Sequence, residues 1–253
     1  MADAIRKNEL FTTSIRDLTN LGFGVAEYKG KVVFISGAVP GDKVEAKIIK
    51  VGSSFCIGKV ENYIEYSKHR ASNRCHIEKC RSCAYKCVST DMERKLKESF
   101  VKGEFSKAGL SDIEVLPLVD SPKDTEYRNK AQYPVCRGKD GKIKIGFYAP
   151  KSHTVTEAAD CPLSPSIFTE ILEKLRSFFE KRGISAYNEE SCNGLIRHIY
   201  LRKGESTGEV LLTLVINGSD LPHSDELVAT LTEAFPSIVG ILLNENTDRK
   251  SVV

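Results

Sequence analysis

Four of the eight cysteines in this chain of 253 residues, Cys75, Cys80, Cys83 and Cys87, fall within a thirteen-residue stretch. Thiolates this dense call for a soft metal. Zinc takes four thiolates in a tetrahedron, and the local set ending at Cys87 supplies them. A four-iron four-sulfur cluster commonly takes three thiolates from one short loop and a fourth from far along the chain, sometimes followed by proline. Asp160-Cys161-Pro162 offers that fourth ligand, so spacing alone leaves Cys87 and Cys161 as alternatives. A disulfide framework explains the cysteines poorly. The N-terminal Met-Ala-Asp-Ala-Ile-Arg-Lys has no apolar stretch of a secretory signal, and the thiols of the cytosolic protein this implies stay reduced.

Cys56, Cys136 and Cys192 stand alone in expected strands or at their edges and read as small core residues. The five histidines, His69, His76, His153, His198 and His223, show no ligand spacing; His76, inside the cysteine loop, is a fallback ligand but reads as exposed. Gly22-Phe-Gly24 does not complete a dinucleotide fingerprint. There is no phosphate-loop lysine motif and no nucleophile elbow.

The elements that must position the cysteines fall into two groups. Before residue 65 the pattern is of short strands. Lys31–Ser36 is rich in β-branched residues, Val44, Ala46 and Ile48 alternate with charged neighbours, and Phe55–Val60 follows Gly52. Glycines and Pro40-Gly41 punctuate them, which predicts a small closed barrel. After the cysteines, Thr90 and Glu93 form a capping box for a helix through Met92, Leu96, Phe100, Val101 and Phe105, ending at Gly109. Strands are expected at Ala131–Cys136 and Ile143–Ala149, then a helix from Pro165 to Lys181. Strands Arg197–Arg202 and Glu209–Ile216, a helix Ser224–Phe235 and a strand Ser237–Asn244 complete the pattern. This order predicts an α+β fold, an antiparallel sheet with helices on one face.

Apolar residues make up 41% of the chain and charged residues 28%, the balance of a chain able to build a core. No apolar run is long enough to span a bilayer. The formal net charge of +3 is mild but unevenly placed: residues 66–107 hold eleven Lys or Arg against five Asp or Glu. A positive block beside a small barrel suits a phosphate backbone, although Arg94, Lys95 and Lys97 read as an ordinary solvated helix face.

The order of parts resembles the RNA uracil-C5 methyltransferase family. The resemblance rests on Leu21-Gly-Phe-Gly-Val25, Gly30 to Gly41, Cys75/Cys80/Cys83 and Tyr127-Arg-Asn-Lys130. It continues through Gly146-Phe-Tyr-Ala149, Ser152-His153, Asp160-Cys-Pro162, Leu195-Ile-Arg-His198 and Asn244-Glu-Asn246. It implies an oligonucleotide-binding-like TRAM barrel over 1–65, a cluster-binding loop over 66–90 and a central α+β domain over 91–253. It further implies methylation of a uridine with S-adenosylmethionine: a thiolate adds to the ring of a base taken out of its stack, and a general base releases the product. The cluster ligands carried over are Cys75, Cys80, Cys83 and Cys161, with a structural role. The family's cofactor-binding glycine loop, nucleophilic cysteine and proline-rich motif have no counterpart in these residues, so the chain reads as the RNA- and cluster-binding portion, inactive alone. Arg81 and Ser82 replace the usual two glycines, and Cys87 the usual histidine.

Lys29, Lys31 and Lys50 on the barrel, with Arg70, Arg74, Arg81, Arg128 and Lys130, are the expected phosphate contacts. Bases would stack on Phe23 or Tyr28, with Phe34 reading more readily as core. The expected partner is RNA, ribosomal before transfer RNA, bound by a cytoplasmic monomer with no membrane contact. The rival is a non-enzymatic RNA-binding module with a structural zinc. A radical methylthiotransferase fits less well, because its cysteine spacing differs and its barrel comes last.

Overall fold

A computed structural model of the chain describes residues 4–71, 75–77, 80, 82–149 and 152–248. They divide into two compact units: residues 1–74 with 83–120, and residues 75–82 with 121–253. The division differs from the expected boundaries at 65 and 91. The segment after Cys83 returns to the barrel, whereas Cys75–Ser82 joins the second unit.

The first unit is built on six strands: β1 (Leu10–Ser14), β2 (Asp17–Leu18), β3 (Phe23–Tyr28), β4 (Lys31–Ser36), β5 (Lys43–Val51) and β6 (Phe55–Glu65). Their order is β1-β5-β6-β4-β3-β2. Because β1 pairs with β5 and β2 with β3, the single bend at residues 15–16 closes the sheet on itself. Closure removes the exposed edges. Val44, Ala46 and Ile48 point inward as their alternation demands, joining Phe11, Ile15, Val33, Ile35 and Cys56 in the core. Phe34 departs from expectation. It lies between buried Val33 and Ile35 on the outer face of β4, edge-on to Phe55, since neighbouring strand residues face opposite ways.

Helix α1 (Thr90–Lys107) belongs to this unit. Its cap lies one residue before the expected box: the Ser89 hydroxyl accepts from the Met92 amide. Gly109 follows in the left-handed region as expected. Of the apolar residues at helical spacing, Leu96 is buried, against Leu18, Val39 and Val88, while Phe100 and Val101 remain exposed. Gly22 has a positive φ, and a Cβ there would meet the Ala84 carbonyl oxygen at 2.5 Å.

The second unit carries β7 (Lys130–Arg137), β8 (Ile143–Tyr148), β9 (Val155–Glu157), α2 (Ser166–Lys181), β10 (Ile196–Lys203), β11 (Val210–Ile216), α3 (Ser224–Ala234) and β12 (Ile238–Glu245). The sheet order is β12-β11-β10-β7-β8-β9. It is antiparallel except at β11–β12, a parallel pair that α3 connects. A parallel neighbour needs such a crossover, so the all-antiparallel expectation fails at this edge. Helices α2 and α3 bury Phe168, Ile171, Leu172, Leu175, Leu227 and Leu231 in one core with the sheet. Among the described residues, no helix is long and apolar enough to cross a membrane.

Candidate nucleic-acid interface and cysteine site

The cysteines of residues 75–87 divide between the two units. In the second unit Cys80 and Cys161 are buried with Ile77 and Ala158, and Cys75, Phe147 and Leu163 pack against them. Cys87 packs instead with Leu18, Val39, Val88 and Leu96 beside α1. Cys161 therefore packs with Cys75 and Cys80 within the second unit, and Cys87 with the apolar core beside α1. Cys83 falls in the first unit. None of the eight cysteines is in a disulfide. Among the described residues, no three His, Cys, Asp or Glu side chains converge closely enough to cage a metal.

The turn bearing Cys161 is held from several sides. The Ser164 amide donates to the Cys161 carbonyl at 3.0 Å, and the Glu126 and Arg128 amides donate to the carbonyls of Pro162 and Leu163. The Tyr133 hydroxyl meets Ser164 Oγ at 3.0 Å; burial pushes that phenol up to about 12. His76, exposed as expected, pairs with Asp160 at 2.9 Å, a surface tie between the cysteine loop and this turn. Cys80 and Cys161 are buried and Cys75 half-buried in this apolar setting, and thiols are soft donors. The connection from β11 to α3, Asn217-Gly-Ser-Asp-Leu-Pro-His223, has one glycine and no glycine-rich loop.

The expected phosphate contacts separate just as clearly. Arg70 is turned inward. Its Nε and Nη2 donate to the two carboxylate oxygens of fully buried Asp42 at 2.9 and 2.7 Å, and Nη2 also reaches the Gly37 carbonyl. Asp42 further accepts from the Val39 and Ser67 amides. That guanidinium clamps the barrel to the segment after β6. Lys29 sits in the β3–β4 turn, where it and Gly30 both have positive φ. It pairs with Glu9 at 2.6 Å, and this pair and the Tyr28 hydroxyl hold the Glu9 carboxyl down to about 2. Tyr28 stacks on core residue Phe11. Lys31 donates to the Gly52 carbonyl, and Lys50 is exposed on β5. Arg74 and Arg81 lie outside the described residues.

In the second unit Arg128 stands just before β7, not within it, with its guanidinium 5.7 Å from the Phe147 ring. Phe147 itself packs against the Cys80–Cys161 cluster. Lys130 lies over Tyr200 at 5.7 Å.

A further grouping escaped the sequence reading. Tyr148, His153, Glu189, Arg197, His198 and Asn246 come together although they span a hundred residues. The Tyr148 hydroxyl donates to Glu189 Oε1 at 2.7 Å, and its oxygen faces His198 Nε2 at 3.3 Å. His153 pairs with the other oxygen of Glu189. Arg197 donates to the carbonyl and side chain of Asn246 and lies 4.5 Å from the Tyr187 ring. Burial, and Arg197 next to it, push His198 down to about 4, so it is neutral at pH 7. With the Tyr148 hydroxyl donating to Glu189, a hydrogen bond between its oxygen and His198 puts the imidazole proton on Nε2. Its buried Nδ1 has no hydrogen-bond partner among the described residues. The histidine spacing in sequence carried no signal for this; Ser152-His153, Ile196-Arg-His198 and Asn246 appeared only as separate motifs.

Residues 8–61 match the model of the TRAM domain. The chain is 34% identical over 251 residues to an uncharacterized RNA methyltransferase of Oceanobacillus iheyensis, covering 98% of this chain and 54% of that protein. It is 35% identical to an uncharacterized RNA methyltransferase of Lactococcus lactis, again covering 98% and 54%. Its fold is similar to the crystal structure of Pyrococcus abyssi tRNA (uracil-54, C5)-methyltransferase in complex with S-adenosyl-L-homocysteine. The TM-score is 0.74 at 24% identity, covering 96% of this chain and 53% of that one. The chain spans about half the length of the curated relatives it matches. Residues 8–61 thus form a TRAM domain, and the chain as a whole is similar to about half of each of several proteins named RNA methyltransferase.

Proposed function

We propose that this chain is the RNA-holding part of an S-adenosylmethionine-dependent RNA (uracil-C5)-methyltransferase acting on 23S ribosomal RNA. The observation that carries the reading is likeness along 98% of the chain to proteins named RNA methyltransferase, joined to a closed TRAM barrel at 8–61. The solved enzyme of similar fold is named for uracil C5 of a transfer RNA. The two RNA classes share the chemistry and are separated by the assay below. Methyl transfer would be supplied by S-adenosylmethionine, whose binding loop these residues do not contain; their own work is to grip and orient RNA.

In the same proposal Cys75, Cys80 and Cys161 hold a four-iron four-sulfur cluster, with Cys83, three residues beyond Cys80, completing the set. The group would supply a rigid joint and no electron transfer. Support comes from the apolar packing of Cys75, Cys80 and Cys161, and from Phe147, which lies against them and under Arg128. Such a joint would fix a cation that contacts phosphate.

The test is fluorescence anisotropy of the chain, prepared without oxygen, with 23S rRNA fragments, transfer RNA and duplex DNA across a salt series. Tight, salt-dependent binding of rRNA fragments over duplex DNA is expected. Equal binding of all three refutes the assignment, and preference for transfer RNA moves the substrate to that class. Iron and sulfide in equal amount support the cluster; a colourless, zinc-loaded protein from an iron-supplied anaerobic preparation overturns it.

A further inference from the structure

We propose that Tyr66 is a base-stacking platform for single-stranded RNA, built just past the end of the barrel. The inference rests on the reading of this chain as an RNA-holding part and names a contact within it. Tyr66 follows β6 and lies beyond the residues that match the TRAM domain. Its side chain is 70% exposed, among the highest values for any large hydrophobic residue described. A solitary exposed tyrosine would be unremarkable; this one is supported from below. Its ring stacks on Tyr63 with centroids 4.8 Å apart and an interplanar angle of 24°.

Each supporting group is anchored in turn. The Tyr63 hydroxyl donates to the Gly37 carbonyl at 2.8 Å. The Arg70 guanidinium lies 4.5 Å from the Tyr63 ring and 5.7 Å from that of Tyr66. Arg70 is held by the buried Asp42 carboxylate through two hydrogen bonds. The outer ring is therefore presented in one orientation with a cation beside it, and little side-chain entropy remains to be lost on binding. Bases stack on such rings whatever their identity, because each has a π-face, and a nearby guanidinium adds to the attraction. Exposed Lys68, two residues on, stands where a flanking phosphate would run.

The aromatics expected from sequence offer less. Tyr28 is committed to Phe11 and Glu9, and Phe34 is half-buried against Phe55. The arrangement favours a nucleobase over an apolar protein segment, because the platform is one flat ring flanked by cations and not a groove.

The chain contains no tryptophan, so Tyr66→Trp places a single reporter on the platform. The full chain is titrated with oligouridylate at constant salt, by anisotropy of labelled RNA and by tryptophan emission. Tyr66→Ala is expected to weaken binding by about 5- to 140-fold, the equivalent of one stacked base. Its salt dependence should match the unsubstituted chain, because no charge is removed. Tyr66→Phe should bind within about twofold of the unsubstituted chain, and the Tyr66→Trp emission should be quenched as RNA saturates. Unchanged affinity in Tyr66→Ala, or unquenched emission at saturation, overturns the platform while RNA binding itself stands. Failure of the unsubstituted chain to bind any RNA overturns both readings.

Discussion

Acidification through the His198 transition should destabilise the fold around it, and the size of the effect follows from its surroundings. The side chain is 4% exposed, lies beside Arg197, and has Tyr148 at Nε2 and, among the described residues, no partner at Nδ1. The charged groups facing it are Arg197, which opposes a second positive charge, and Glu189, which favours one. Burial and Arg197 dominate, and the group falls from an ordinary 6.5 to about 4. A base with a depressed folded value binds its proton first in the unfolded chain. The stability it preserves is therefore whole above pH 6.5 and is lost as pH falls from 6.5 through 4. From pH 6.5 down to 4 the loss runs at about 1.4 kcal/mol per pH unit, less the partial protonation of the folded state near pH 4, and reaches about 3 kcal/mol. Carboxylates titrate in the same range, so the measurement must be a difference. Urea unfolding of the unsubstituted chain and of His198→Gln, followed at steps from pH 7.5 to pH 4, supplies it. The stability advantage of histidine over glutamine should shrink by about 3 kcal/mol across that window. A pH-independent difference would refute the burial argument. A difference that grows on acidification would show that Glu189, and not Arg197, governs the site.

Asp42→Ala strands the Arg70 guanidinium and two backbone amides, and loss of one partner of a buried pair costs about 3 to 5 kcal/mol; denaturant midpoints with an unchanged slope would show it, and a loss under 1 kcal/mol would contradict the clamp. Arg128→Ala should weaken RNA binding and lower the magnitude of the salt slope by about one, the signature of one lost phosphate contact; an unaltered slope would remove Arg128 from the interface. Cys161→Ser should abolish iron retention in anaerobic protein, whereas Cys87→Ser, altered beside α1, should retain it; the reverse result would restore the local cysteine set.

Much of the architecture was legible along the chain because it depends on local periodicity. Strand β4 begins and ends where its β-branched run does, and Val44, Ala46 and Ile48 face the core because a strand alternates every residue. Helix α2 carries its apolar stripe at helical spacing and buries it. Residue type alone misleads where neighbours along the chain compete for one role. Thr90 and Ser89 are both competent caps in sequence; the Ser89 hydroxyl takes the bond. Phe34 looks like core by type, but its strand parity turns it outward.

Residue type and spacing determined the barrel strands, the α+β sheet and the dense cluster of cysteines, since each is written in patterns a few residues long. Tertiary structure alone decided the allegiance of individual side chains. Cys161 joins Cys75 and Cys80 while Cys87 is taken by the core beside α1. Arg70 turns to Asp42 instead of to solvent. Tyr148, Glu189 and His198 meet although nothing in their spacing announces it. A buried charge or polar atom must find its partner wherever the fold brings one within hydrogen-bond reach, and that distance in space has no counterpart in distance along the chain.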